Sequence, residues 1–287
     1  MAGAYQHAAV AGHQRKNVAR HGDVVLTLGR VDRHRDGARP VAGRDPGGDA
    51  LAGLDGDGEG GLLASLPMSD PEAAMAEIAY AFEALRADGV ILLTNYDGIY
   101  LGDAKYEPVF AELNRRRTTI FLHPSMPAGF ECVSCGRPGP IIEFPFDSCR
   151  TVVDMLYAGV LERHPEIKLI MSHAGGALPT LAPRIAGIGT AYYVPHPASL
   201  TQHSVLEQLS RLYFDTAIAG TAASIAPVLE LTGPDHIVFG TDYPPATEPI
   251  IEQNIAALEA LECLSDDEKR RIDVNGRRLF ERFRVIG

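Results

Sequence analysis

From Gly61 onward, short apolar runs alternate with stretches in which apolar residues recur every three or four positions. The runs Leu62–Leu66, Val90–Thr94, Thr119–Leu122, Ile167–Met171, Leu212–Thr216 and Ile237–Phe239 have the length and composition of buried strands. Between most of them the spacing is helical. Met75, Ile78, Ala79, Phe82 and Leu85 follow Ser69-x-x-Glu72, a capping-box signature, and Asp88-Gly89 is expected to stop that helix. A second box, Ser265 to Glu268, opens a helix expected to stop at Asn275-Gly276. Pro108 stands early in the pattern Val109 to Arg116, where its missing N–H costs little. The run Asp147 to Glu162 sets Val152, Val153, Leu156 and Leu161 on one helical face.

Strands alternating with helices predict an α/β fold with a parallel sheet. Six strands, plus one more at Asp23 to Leu28, approach the eight of a (β/α)8 TIM-barrel-like fold in a chain of 287 residues. An open doubly wound sheet is the competing architecture. No Gly-x-Gly-x-x-Gly follows a strand and no Gly-x-x-x-x-Gly-Lys-Ser/Thr occurs, so dinucleotide and nucleoside triphosphate sites are not supported.

Composition changes the picture near residue 60. Residues 1–60 hold 12 of the 29 glycines and four of the ten histidines, with 8 basic and 8 acidic residues. They read as an atypical Gly-rich N-terminal segment in which the strand region of the barrel is incomplete; residues 61–287 read as the barrel domain. A misplaced start or a shifted reading frame upstream of Gly61 would write such text. Asp-x-Asp-x-Glu at 55–59 lacks the flanking helices and the bidentate Glu of a calcium loop.

Apolar residues make up 46% of the chain and charged ones 22%, enough to bury a large core. The net charge of −11 falls wholly on the part after residue 60 and argues against nucleic acid, whose affinity comes from neutralised phosphates. No apolar run nears the roughly 20 residues that span a bilayer. The N-terminus has no cationic stretch followed by an apolar one, so a cytoplasmic location is expected.

Three strands end in residues that bind metals or move protons: His123 after Ile-Phe-Leu, His173 after Leu-Ile-Met-Ser, and Asp242 after Val-Phe-Gly-Thr. In a barrel the C-terminal strand ends share one rim, which carries the active site. Two imidazoles and a carboxylate there could hold a zinc-like cation and handle a proton. Singly, each is an ordinary polar residue at a strand end; arriving together, they point to a shared site. Arg150 could grip a substrate carboxylate with its fork, or pair with Asp147 or Asp154. Cys132-Val-Ser-Cys135 lacks the second pair of a structural zinc site and reads as a reduced loop pair. His164, His196, His203 and His236 read as solvated.

Leu-Leu-Ala-Ser-Leu-Pro (62–67), Phe-Leu-His-Pro (121–124), Glu-Phe-Pro-Phe-Asp (143–147), Ser-His-Ala-Gly-Gly (172–176) and Gly-Thr-Asp-Tyr-Pro (240–244) occur in this order. In that combination the chain, from about Gly61 to Arg284, resembles the amidohydrolase-related metal-dependent decarboxylases. That group includes the aminocarboxymuconate-semialdehyde, γ-resorcylate and 6-methylsalicylate decarboxylases, and the first and third stretches lean toward the last. The resemblance implies a distorted barrel with one divalent metal, zinc ahead of manganese. It makes His123 a ligand, Asp242 a ligand and proton carrier, and His173 a catalytic residue beside the metal. A homodimer is a further implication. The family's first strand normally adds a His-x-His or Glu-x-His pair. This sequence has none: His7, His13, His21 and His34 are isolated.

The expected reaction is non-oxidative decarboxylation of a small aromatic or dienoic acid, with Phe144, Phe146 and Tyr243 lining an apolar pocket. Two other readings stand beside it. One is a hydrolase in which metal-bound water attacks an ester, lactone or amide. The other is a non-catalytic, incomplete barrel that binds metal weakly.

Overall fold

A computed structural model describes residues 62–280. The expectations for residues 1–60, including the strand at 23–28, the four isolated histidines and the acidic run at 55–59, lie outside the described residues. All six strands read from Gly61 onward are present within one or two residues: β1 (Leu63–Ser65), β2 (Gly89–Leu93), β5 (Thr119–His123), β6 (Lys168–Met171), β7 (Tyr213–Asp215) and β8 (Ile237–Val238). A small antiparallel hairpin, β3 (Asn95–Tyr96) and β4 (Ile99–Tyr100), follows β2.

The six strands form one parallel sheet in the order β1-β2-β5-β6-β7-β8, which is chain order without a reversal. Right-handed crossovers then add each strand on the same side and put every helix on one face. A doubly wound sheet needs a point where the order turns back, and none occurs here. The winding is that of a barrel.

The two faces of the sheet have different company. Val90, Leu92, Ile120, Leu122, Leu169, Met171, Phe214 and Ile237 join a core with helix residues such as Ile78, Phe110, Val152, Leu156, Ala182, Val205 and Ile225. Their alternates Leu63, Phe121, Ile170 and Val238, with Ile91 and Tyr213 packed against them, form a second cluster. Ile91, Phe121, Ile170 and Tyr213 stand level in the register. One side chain from each of these four central strands therefore meets on the concave side. Leu279 and Phe280, from the end of the last helix, close this cluster from below. The Leu279 carbonyl accepts from Thr119 Oγ1 at 2.8 Å and Lys168 Nζ at 3.3 Å.

Several local expectations shift. The first helix (Pro71–Glu83) is capped by Asp70, whose Oδ1 accepts from the N–H groups of Glu72 and Ala73, instead of by Ser69. Pro71 takes a first-turn position, and the residue before a proline stays extended. Asp88-Gly89 does not end that helix. Gly89 opens β2, and a Cβ there would stand 2.3 Å from the Thr119 carbonyl oxygen. Asn275-Gly276 does not stop the last helix either; both lie inside Asp266–Leu279. Asn275 is buried and donates to the Pro234 and Ile237 carbonyls. The Ser265–Glu268 box forms as read. The run from Asp147 is a helix that begins earlier, at Glu143, and ends at Tyr157; Gly159, at φ +72°, separates it from the turn Val160–Arg163.

Candidate active site

Side chains alternate along a strand, so His123 shares the concave face with Phe121, two residues before it. His123 is the last residue of β5. Its Nδ1 lies 2.9 Å from the Pro124 carbonyl oxygen, which can only accept, so Nδ1–H donates and Nε2 is the nitrogen turned toward Asp242. His173 lies just beyond β6 and Asp242 just beyond β8. All three strand-end residues meet. His123 Nε2 is 3.7 Å from Asp242 Oδ1, and His173 Nε2 is 3.6 Å from Asp242 Oδ2. The three donor atoms fall within 4.8 Å of one another, and among the described residues no other group of His, Cys, Asp or Glu does so.

The turn Ser172–Gly176 that carries His173 runs through left-handed backbone. His173, Ala174, Gly175 and Gly176 have φ of +56°, +52°, +72° and +59°, and Asp242 has +61°. Such values in non-glycine residues concentrate at functional sites and persist only where the surroundings hold them. Two neighbours grip the turn. Phe214 lies under Gly175, where a Cβ would come within 2.6 Å of its ring, and Pro145 lies against Gly176. The Ala177 N–H donates to the Pro145 carbonyl at 3.1 Å. The neighbouring Phe144 presents an edge to His123, with ring centroids 6.4 Å apart. The first turn of the Glu143–Tyr157 helix thus touches both histidine loops.

A fourth polar residue at this rim escaped the sequence reading. Asp215 ends β7 and is buried. Its Oδ1 accepts from the backbone N–H of His173 at 2.7 Å and of Ala217 at 3.0 Å. The signal was available: Leu212–Thr216 reads as a strand, and a carboxylate at its C-terminal end obeys the same rule as Asp242.

Burial disfavours charge on Asp242, but the two imidazoles facing its oxygens outweigh that and hold the carboxyl far below the usual range. His173 moves the other way. Its burial opposes a proton, and Asp242 and Asp215 together overcome it and raise its pKa. Burial pushes the Asp215 carboxyl up, against the pull of His173 and the two N–H groups.

Arg150 pairs with Asp147, one of its two expected partners, at 2.7 Å. Asp147 is fully buried and accepts four bonds: from Thr94 Oγ1 and Asn95 Nδ2 on Oδ2, and from Tyr100 and Arg150 on Oδ1. Thr94 Oγ1 in turn accepts from the N–H of Ser125, two residues past His123. Burial and the neighbouring carboxylate push the Tyr100 hydroxyl up to about 12. Phe146 and Tyr243 are about half exposed, at 47% and 46%.

Some remaining expectations are corrected. His164 is not solvated: it is buried, its Nε2 is 3.0 Å from Glu107, and its ring stacks on Phe110. His236 stacks on Tyr213 with Nδ1 on the Leu212 carbonyl, and His196 is half-buried with Nδ1 on the Val194 carbonyl. His203 is exposed, as read. Cys132 lies on a short helix, Phe130–Val133, with Cys135 just after it, and both thiols are free and exposed. No described helix is long and apolar enough to cross a membrane.

Residues 50–281 match the family described as Amidohydrolase. The chain is 35% identical to decarboxylase macB of Penicillium terrestre, over 78% of this chain and 69% of that protein. It is 37% identical to the 6-methylsalicylic acid decarboxylase of Penicillium expansum, over 74% of this chain and 66% of that protein. It thus spans about two thirds of the length of these relatives. The crystal structure of an amidohydrolase II superposes with a TM-score of 0.70 at 31% identity, covering 76% of this chain and 70% of that one.

Proposed function

Since the chain belongs to the amidohydrolase family, we propose that it is a metal-dependent decarboxylase of a small aromatic acid of the 6-methylsalicylate kind. The observation that carries this reading is the meeting of His123, His173 and Asp242 at the C-terminal rim of a barrel-wound sheet. Its support from relatives is the likeness to a 6-methylsalicylic acid decarboxylase.

The donor set fits a divalent ion. Ligands about 2.1 Å from a tetrahedral ion stand about 3.4 Å apart, close to the 3.7 Å between His123 Nε2 and Asp242 Oδ1. His123 Nε2, the nitrogen that the Pro124 carbonyl does not engage, is the one available to a metal. We assign His123 and Asp242 as ligands and one divalent metal as cofactor, with zinc favoured over manganese by the mixed nitrogen and oxygen donors. When bound, the metal supplies a Lewis acid for the substrate's carboxylate and its adjacent oxygen.

The chain's own residues do the rest. Arg150 offers the edge of its guanidinium that Asp147 leaves free to an anionic substrate group. Phe144, Phe146 and Tyr243 form the apolar wall, which favours release of uncharged CO2. The bond between ring carbon and carboxyl carbon breaks, and its electron pair stays on the ring. Asp242, held as a carboxylate at rest, takes a proton from His173, 3.6 Å away, and relays it to that carbon. His173 also lies beside the negative charge that develops.

The test is a panel of substituted salicylates and unrelated esters and lactones, run on protein loaded with zinc or with manganese. One CO2 and one decarboxylated phenol per 6-methylsalicylate consumed is the expected result. Ester or lactone cleavage without CO2, or no turnover of any acid, would sink the proposal.

A further inference from the structure

We propose that Asp215 is the positioning residue that fixes His173, acting through its backbone. This deepens the decarboxylase reading and rests on it for the role of His173.

The argument begins with the backbone. His173 and Ala174 are both left-handed and neither is glycine, so this turn does not hold its shape by local preference. Within the turn, Gly175 N–H donates to the Ser172 carbonyl and Gly176 N–H to the His173 carbonyl. From outside, Phe214 supports Gly175 and Pro145 confines Gly176. Asp215 reaches His173 itself: its Oδ1 accepts the His173 N–H at 2.7 Å. A charge-assisted bond of that length is among the stronger ones available to a backbone amide. With the amide held, the imidazole leaves the backbone in the direction that sets Nε2 3.6 Å from Asp242.

The plainer reading is that Asp215 only turns the chain at the end of β7. That explains the bond to Ala217 N–H, two residues on. It does not explain why the same oxygen crosses to the next strand's turn, or why a carboxylate only 2% exposed stands there. A buried carboxylate is costly unless donors answer it, and one of its two backbone donors is His173.

Asp215→Ala removes the acceptor; Asp215→Asn keeps an accepting oxygen of the same reach. Two readouts apply to metal-loaded protein: hydrogen–deuterium exchange at the His173 amide, and kcat and KM for 6-methylsalicylate. In Asp215→Ala the amide should exchange at least about tenfold faster, and kcat should fall about 100-fold with KM within about threefold, as for a displaced reacting group. Asp215→Asn should stay within about fivefold of the parent in both, since it can still accept the bond. Unchanged exchange in Asp215→Ala overturns the proposal. So does an Asp215→Asn that loses kcat as fully as alanine while His173 stays protected, because the charge and not the seat would then matter. Should the alanine variant fail to fold, protection of His173 in Asp215→Asn decides: retained protection supports the seat, and lost protection overturns it. A parent protein that releases no CO2 refutes the decarboxylase reading, and exchange at His173 still tests the seat.

Discussion

Arg150 Nη1 lies 2.7 Å from Asp147 Oδ1, one turn away on the same helix, and the carboxylate it reaches is wholly buried. With Thr94, Asn95 and Tyr100 also donating to it, Asp147 ties the chain after β2 to that helix, and Thr94 Oγ1 accepts from Ser125 in the loop after β5. Removing the carboxylate would take a shared acceptor from four donors. Asp147→Ala should cost about 2 kcal/mol or more of unfolding free energy, since a hydrogen bond to a charged group contributes about 1.5–3 kcal/mol. Urea denaturation of both proteins measures it. Arg150→Met, at a half-exposed partner, should cost less and should act chiefly by raising KM for the acid.

The rim cluster makes a prediction about metal that needs no substrate. His123→Ala and Asp242→Asn should each lower affinity for zinc or manganese at least about tenfold, the loss seen even when a group that merely orients a ligand is removed. Elemental analysis after dialysis against limiting metal gives the content per chain. Unaltered content in both variants would move the metal away from this cluster.

Glu112 gives a pH signature far from the site. Arg115 lies against its carboxylate, and Arg116 supports it, bringing the pKa to about 2 against the burial that opposes charge. A carboxyl with a lowered folded-state pKa adds stability above its unfolded value of 4.5, and this is lost as pH falls through about 2. Glu112→Gln should therefore lower Tm at pH 7, with the difference shrinking below pH 4.5 and vanishing near pH 2. Melting curves across that range follow it.

The four thiols should separate by reactivity. Cys132, Cys135 and Cys263 are exposed, whereas Cys149 is buried and its thiol is pushed up to about 11 by that burial, against a weaker pull from Arg150. At pH 8 an alkylating agent should label the first three and reach Cys149 only in denaturant. Peptide mass spectrometry reads the labelled positions.

Strands and rim were legible for one reason: strands buried on both faces are written as short unbroken apolar runs, and β2, β5 and β6 are such runs. The residues that end them then follow from winding alone, which is how His123, His173 and Asp242 were found. The hairpin was not read, although Asp97-Gly98 between Asn95-Tyr96 and Ile99-Tyr100 is a two-residue turn signal and its residues have φ of +53° and +79°. Other misses are tertiary. Asn275 stands in a helix because its amide finds two carbonyls on distant chain, a partnership no local pattern announces. His164 is buried for the same kind of reason, held between Glu107 and Phe110. Asp215 differs from these: it carries the same strand-end signal as Asp242, and only its partner, the His173 amide, is beyond any local pattern.

The stopper formed by Leu279 and Phe280 ties the completion of the barrel floor to residues that follow all six strands in the chain. A ribosome makes all six strands before it makes these two residues. Until residue 280 has emerged, Phe121, Ile170 and Val238 face an unfinished floor, and the anchors at Thr119 and Lys168 lack the carbonyl they hold. A nascent or prematurely terminated chain ending before Leu279 would present that apolar interior to chaperones and proteases, even with every rim residue already synthesised. Synthesis thus delivers the chemistry first and the seal last.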